Sequence, residues 1–93
     1  MKLFKSVDDK LAELGFRKVV DNKNIIQYYR YLNHYRYTQV VSICRKDSGN
    51  HIVHSYDKDL FDSRGIGNTS VGLTYKEMKL ILKKMRQMGL ASK

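Results

Sequence analysis

The stretch from Ile25 to Tyr56 limits most tightly what this chain can fold into. It reads Ile25-Ile26-Gln27-Tyr28-Tyr29-Arg30-Tyr31-Leu32, then Tyr35 through Lys46, then Asp47-Ser48-Gly49-Asn50, then His51 to Tyr56. Tyrosine, isoleucine and valine crowd the three longer runs, and such side chains fit a half-buried pleated surface. Asp-Ser-Gly-Asn has the residue types of a tight reversal. Asn33-His34 is read as a two-residue corner, since Asn tolerates positive φ better than most residues. Upstream, Phe16 to Val20 forms a short first strand and Asp21-Asn22-Lys23-Asn24 turns the chain into the second. These runs predict an antiparallel β-meander of about four strands.

Helices are expected at both ends of the meander. Ser6 and Asp9 have the spacing of a capping box, with Asp in the usual place of Glu. Val7, Leu11 and Leu14 then make one apolar stripe, closed by Gly15. Near the other end, Thr74-Tyr75-Lys76-Glu77 is a full capping box. It opens a helix with Tyr75, Met78, Ile81, Leu82, Met85 and Met88 on one side and Lys76, Lys79, Lys83 and Arg86 on the other, ending at Gly89. Asp57 to Gly72, between the last strand and this helix, is expected to be a long irregular connection.

In the third strand, Tyr35, Tyr37, Gln39, Val41 and Ile43 share one face. Arg36, Thr38, Val40, Ser42, Cys44 and Lys46 fall on the other. In the fourth, Ile52, His54 and Tyr56 oppose Val53 and Ser55. That alternation predicts one face covered by the two helices and one open to water. The fold class is therefore α+β, a single domain over residues 1–93, which is the size of one modest core.

Size and charge narrow the functional classes. The 93 residues carry 18 Lys and Arg against 9 Asp and Glu, a formal net charge of +9. Such a surplus attracts polyanions, of which nucleic acid and anionic membrane surfaces are the obvious ones; a soluble basic surface is the plain alternative. The surplus is uneven: residues 25–46 contain four basic and no acidic side chains, and residues 75–93 six and one, whereas residues 47–74 lean acidic. The single cysteine, Cys44, lies in a strand-like run and reads as a buried, reduced thiol. No run reaches the roughly 18 apolar residues of a membrane span. The opening Met1-Lys2-Leu3-Phe4-Lys5-Ser6 has too short an apolar core for a signal peptide, so a cytoplasmic location and no membrane partner are expected.

Several constellations carry possible chemistry. Tyr28, Tyr29, Arg30, Tyr31, His34, Tyr35, Arg36 and Tyr37 mix rings with cations on neighbouring strands, and single-stranded nucleic acid binds by stacking on rings while cations follow the phosphates. Packing alone also favours tyrosine in strands, and the run lacks the Gly-and-Phe signature of the common RNA-binding sheet. The lysine stripe of the last helix suits a phosphate backbone, or simply water. The loop from Ser63 to Gly72 has neither a phosphate-cradling nor a dinucleotide spacing. His51 and His54 alternate across a strand, and Asp57, Asp59 and Asp62 lack the rest of a calcium loop, so no metal and no cofactor is expected. No matched nucleophile and base stand out, and the expectation is a protein that is not an enzyme.

Two stretches resemble small uncharacterised proteins of phages and prophages of Gram-positive bacteria: Gly49-Asn50-His51-Ile52-Val53-His54-Ser55-Tyr56-Asp57-Lys58-Asp59 and Val71-Gly72-Leu73-Thr74-Tyr75-Lys76-Glu77-Met78-Lys79-Leu80. Glu13-Leu14-Gly15-Phe16 matches the way those proteins close their first helix. The likeness covers about two thirds of the chain and departs from the pattern between Gln27 and Gln39. It implies provenance in a bacterial host and no particular activity.

Together these readings predict a non-enzymatic phage or prophage accessory protein. Its open sheet face would meet nucleic acid or a nucleoprotein through Tyr28, Arg30, Arg36 and Lys46, helped by Lys79 and Lys83. The alternative is a protein-binding module, either a homodimer or an inhibitor of a host protein such as a defence nuclease, with exposed tyrosines as anchors.

Overall fold

Four antiparallel strands make a single sheet in the order β1-β2-β3-β4, each paired with its neighbour in sequence. This computed structural model describes residues 5–64 and 69–89. The chain runs α1 (Val7–Glu13), β1 (Arg17–Asp21), β2 (Ile25–Leu32), β3 (Tyr37–Cys44), β4 (Ile52–Asp57), α2 (Lys58–Arg64) and α3 (Tyr75–Gln87). The expected α+β meander with an N-terminal and a C-terminal helix is the architecture observed.

Local chemistry accounts for both ends of α1. The Ser6 hydroxyl accepts from the Asp9 N–H at 3.0 Å, and the Asp9 carboxylate accepts in return from the Ser6 N–H at 3.2 Å. Gly15, at φ +98°, closes the helix in a left-handed conformation. A Cβ there would come within 3.2 Å of the Arg30 Cδ, so glycine serves both the turn and the close approach of β2.

The β2–β3 corner departs from expectation. The strands separate at Leu32 and Tyr37, and Asn33 to Arg36 form a four-residue turn in which Arg36, not Asn33, takes the positive φ of 58°. Tyr35 and Arg36 thus belong to the hairpin tip, and Lys46 lies beyond the other end of β3. β2 and β3 pair without interruption over eight residues, from Ile25↔Cys44 to Leu32↔Tyr37. This unbroken ladder fixes which side chains share a face.

On one face Ile26, Tyr28, Val41 and Ile43 pack with Val7, Leu11 and Phe16 and with Leu80, Ile81 and Met85 of α3, forming the main core. Directly opposed partners in the ladder place Arg30, Gln39, Val53 and Ser55 on that same face. The reverse face, expected to be wet, is partly covered. Val40 and Ser42 are buried there, and Phe61 of α2 stacks at 4.9 Å on Tyr56, the cross-strand partner of Val40.

The connection after β4 is a correction to the sequence reading. Lys58–Arg64 is helical where an irregular loop was expected. Asp57 ends β4 and also caps α2, its carboxylate accepting from the Leu60 N–H at 3.1 Å, and Lys58 pairs with Asp62 one turn on. Thr69 and Val71 then return along β4, through Asp57 N–H to Thr69 C=O at 2.8 Å and Val71 N–H to Ser55 C=O at 3.0 Å. Of the glycine-rich loop considered for phosphate binding, residues 65–68 lie outside the described residues.

Candidate nucleic-acid interface

The residues expected to form one cationic sheet face are dispersed by the fold. Tyr28 is 1% exposed, and its hydroxyl donates to the Asp8 carboxylate at 2.7 Å. Lys18 and Lys84 reach the same carboxylate at 3.1 and 3.2 Å, tying β1, β2, α1 and α3 together. Burial disfavours the Asp8 anion, yet the hydrogen bonds from Tyr28, Lys18 and Lys84 outweigh it and hold the pKa below its ordinary value. Burial, and then the bond to Asp8, push the Tyr28 hydroxyl up. Tyr28 is thus a core residue with a polar anchor, not a stacking platform.

Arg30 is also turned inward. It lies on the face covered by the helices and forms a 2.8 Å ion pair with Glu77, the two side chains being 16% and 7% exposed. Its guanidinium donates to Gln39 Oε1 at 2.6 Å and to the Leu14 carbonyl at 3.3 Å, and stacks 4.2 Å from the Phe16 ring centre. Gln39, fully buried, passes the chain on by donating to Ser55 at 2.9 Å. A polar seam therefore crosses β2, β3 and β4 at one end of the core. The period-two pattern places Arg30 beside Tyr28 on one face, but it does not reveal that Glu77 waits above.

The remaining expected residues fall on three separate surfaces. Arg36 sits at the β2–β3 tip with His34 and the exposed Tyr35, whose rings meet edge to face at 4.9 Å. Lys46 follows the far end of β3, beside Lys23, Arg45 and His51. Strand geometry of about 3.3 Å per residue separates those two ends by more than 20 Å. Lys79 and Lys83 are on α3. No common patch joins the six, and the open sheet face proposed for them instead carries Gln27, Tyr29, Tyr31 and His54.

A different surface gathers the cations. Lys5, Lys10, Lys76, Lys79 and Lys83 line one groove of about 480 Å³ between α1 and α3, with Leu14 and Leu80 at its floor. Among the described residues Glu13 is the single acid lining it, and it pairs with Lys5. Lys10, Lys76, Lys79 and Lys83 have no carboxylate partner among the described residues. Lys76 to Lys83 span about 10 Å of helix axis at 1.5 Å per residue. That length covers about three phosphates of one strand at roughly 3.4 Å of duplex axis each. Tyr75, 76% exposed, stands at the start of α3 with the Lys79 ammonium 5.3 Å from its ring centre. Sequence reasoning found the α3 stripe but missed Lys10 and Lys5, because only the antiparallel return of the chain sets α1 beside α3.

Among the described residues no three His, Cys, Asp or Glu side chains come together as a metal site, and no helix is long and apolar enough to cross a membrane. Cys44 is free and half-buried. No protein-family model matches this chain, and no curated protein or solved structure matches it at a significant level.

Proposed function

We propose that this chain is a non-enzymatic accessory protein of phage or prophage origin that binds nucleic acid, or a nucleoprotein, by its phosphates in the groove between α1 and α3. One observation carries the reading: among the described residues, four lysines without carboxylate partners, from two helices, converge on one groove, and the one acid that lines it is already paired. Clustered ammonium groups raise the local potential and take up phosphates as condensed counterions are released. Tyr75, whose exposed ring lies beside the Lys79 ammonium, offers a stacking face to an unpaired base. The groove supplies flexible ammonium point charges in place of the planar, fixed donor sets that read base edges bidentately, so binding is expected to depend little on sequence.

The test is fluorescence anisotropy with short single- and double-stranded oligonucleotides across salt. Four phosphate contacts give a slope of log K against log salt of about −3.6 for duplex and about −2.8 for single strands. Affinity for duplex should therefore fall about a hundredfold between 50 and 200 mM salt. Replacing Lys76, Lys79 and Lys83 by alanine should remove about one unit of slope per lysine. Absence of binding at low salt, or a slope untouched by the triple substitution, would refute the proposal.

A further inference from the structure

The opposite flank of α3 carries a second surface, built of apolar side chains and a free strand edge. Met78 and Leu82, expected within the core stripe, are 47% and 50% exposed. With Val53, Val71, Leu73 and Ile81 they wall a cleft of about 440 Å³ between β4 and α3. At the floor of this cleft the outer edge of β4 changes character. The Ser55 C=O and the Asp57 N–H, which point away from β3, are taken up by the Val71 N–H and the Thr69 C=O. Two residues earlier, the N–H and C=O of Val53 point the same way by strand alternation, and they have no hydrogen-bond partner among the described residues. The other edge of the sheet is guarded differently. The register of β1 is broken by a bulge between Lys18 and Val20, and Arg17, Lys18 and Asp21 put charge along it.

We propose that this cleft is a docking site for an extended, acidic and apolar segment of a partner protein, added as a short strand beside Val53. The backbone of such a segment would exchange hydrogen bonds with Val53, and its alternate apolar side chains would enter the cleft between Val71 and Leu82. Its acidic character follows from charge. The outer lip of the cleft on α3 continues from Leu82 to the exposed Arg86, one turn on and at a neighbouring helical angle. Among the described residues no acid lines the cleft itself. The same charges disfavour a second copy as occupant. A twofold pairing at Val53 would bring together two chains that each carry a net charge of +9, and would set the partner's β4 against the segment from Ser70 to Val71. The site is separate from the groove between α1 and α3, so either can fail without the other.

The experiment selects from a displayed library of random decapeptides and titrates the best synthetic peptide into the labelled protein by NMR. Enriched peptides should alternate Val, Ile or Leu with Asp or Glu and shift the amide resonances of Val53 and Val71. Their affinity should fall at least tenfold in the double variant Met78→Ser/Leu82→Ser and stay unchanged in Lys76→Ala/Lys83→Ala. Both serine positions are half-exposed, and circular dichroism checks that the variant remains folded. Three outcomes would overturn the proposal: no enrichment, enriched peptides that bind the serine variant equally well, or a concentration-dependent dimer in sedimentation that the serine variant abolishes.

Discussion

Arg30 and Glu77 show how one buried pair can redirect the meaning of a sequence pattern. Each would be costly to bury alone, and breaking a buried pair by removing one charge costs about 3–5 kcal/mol. Glu77→Gln keeps the atoms needed to accept from the Thr74 N–H, 2.9 Å away in the native chain, while removing the charge opposite Arg30. It should therefore destabilise the fold by about 3 kcal/mol in urea unfolding, an amount set by the pair and not by the cap. The Arg30 Nε, buried with no hydrogen-bond partner among the described residues, adds to the cost once the carboxylate is neutral. Asp8 makes a second residue-level prediction. Its folded pKa lies below the ordinary 3.8, so the unfolded chain takes up a proton first as the pH falls. The stabilisation it gives is complete above 3.8, and it is lost as the pH drops through the lower folded value. Asp8→Asn should lower stability at neutral pH and flatten that acid limb, as read from urea midpoints measured between pH 2 and 7.

At the scale of elements, α3 does the most to organise the molecule. Its start is held twice, by the Thr74 hydroxyl accepting from the Glu77 N–H at 3.1 Å and by the Glu77 carboxylate reaching Arg30 on β2. Because Glu77 is drawn inward, the buried stripe becomes Glu77, Leu80, Ile81 and Met85. Tyr75, Met78 and Leu82 turn towards water, leaving a lysine groove on one flank and an apolar cleft on the other. Thr74→Ala removes one cap bond and should cost about 1 kcal/mol, less than Glu77→Gln. The reverse order in the same unfolding experiment would mean that the cap, not the buried pair, anchors the helix. On the reverse face α2 has a lesser part, as a seven-residue helix whose Leu60 and Phe61 stay partly exposed.

For the whole molecule, the question is whether a charge of +9 acts as a diffuse cloud or through one place. The fold separates the basic residues into the groove between α1 and α3, the end of the sheet near Lys23, Arg45 and Lys46, and the hairpin tip at Arg36. At physiological salt the Debye length of about 8 Å is far shorter than the distance between sheet ends, so these groups do not reinforce one another fully. A control follows for the oligonucleotide titration. Lys23→Ala/Lys46→Ala lowers the net charge as much as Lys76→Ala/Lys83→Ala does, but it should change the salt slope far less. Equal losses from the two pairs would assign the binding to total charge and not to the groove.

The sequence by itself determined the elements that local chemistry dictates. Two capping boxes, the left-handed Gly15, the alternation of Val53 and His54 and the unbroken run from Ile25 to Leu32 are short-range signals, and they place α1, α3 and the meander. It left α2 illegible because its cue, Asp57 capping Leu60 with Lys58 spaced for Asp62, is weak beside three nearby glycines. Which cations face water was decided only by the tertiary structure. Tyr28 and Arg30 occupy strand positions that suit a binding surface equally well. Their burial depends on Asp8 and Glu77, residues 20 and 47 positions away in the chain, whose carboxylates arrive only when the helices pack. The lysine groove likewise exists only once α1 and α3, which open and close the described chain, lie side by side.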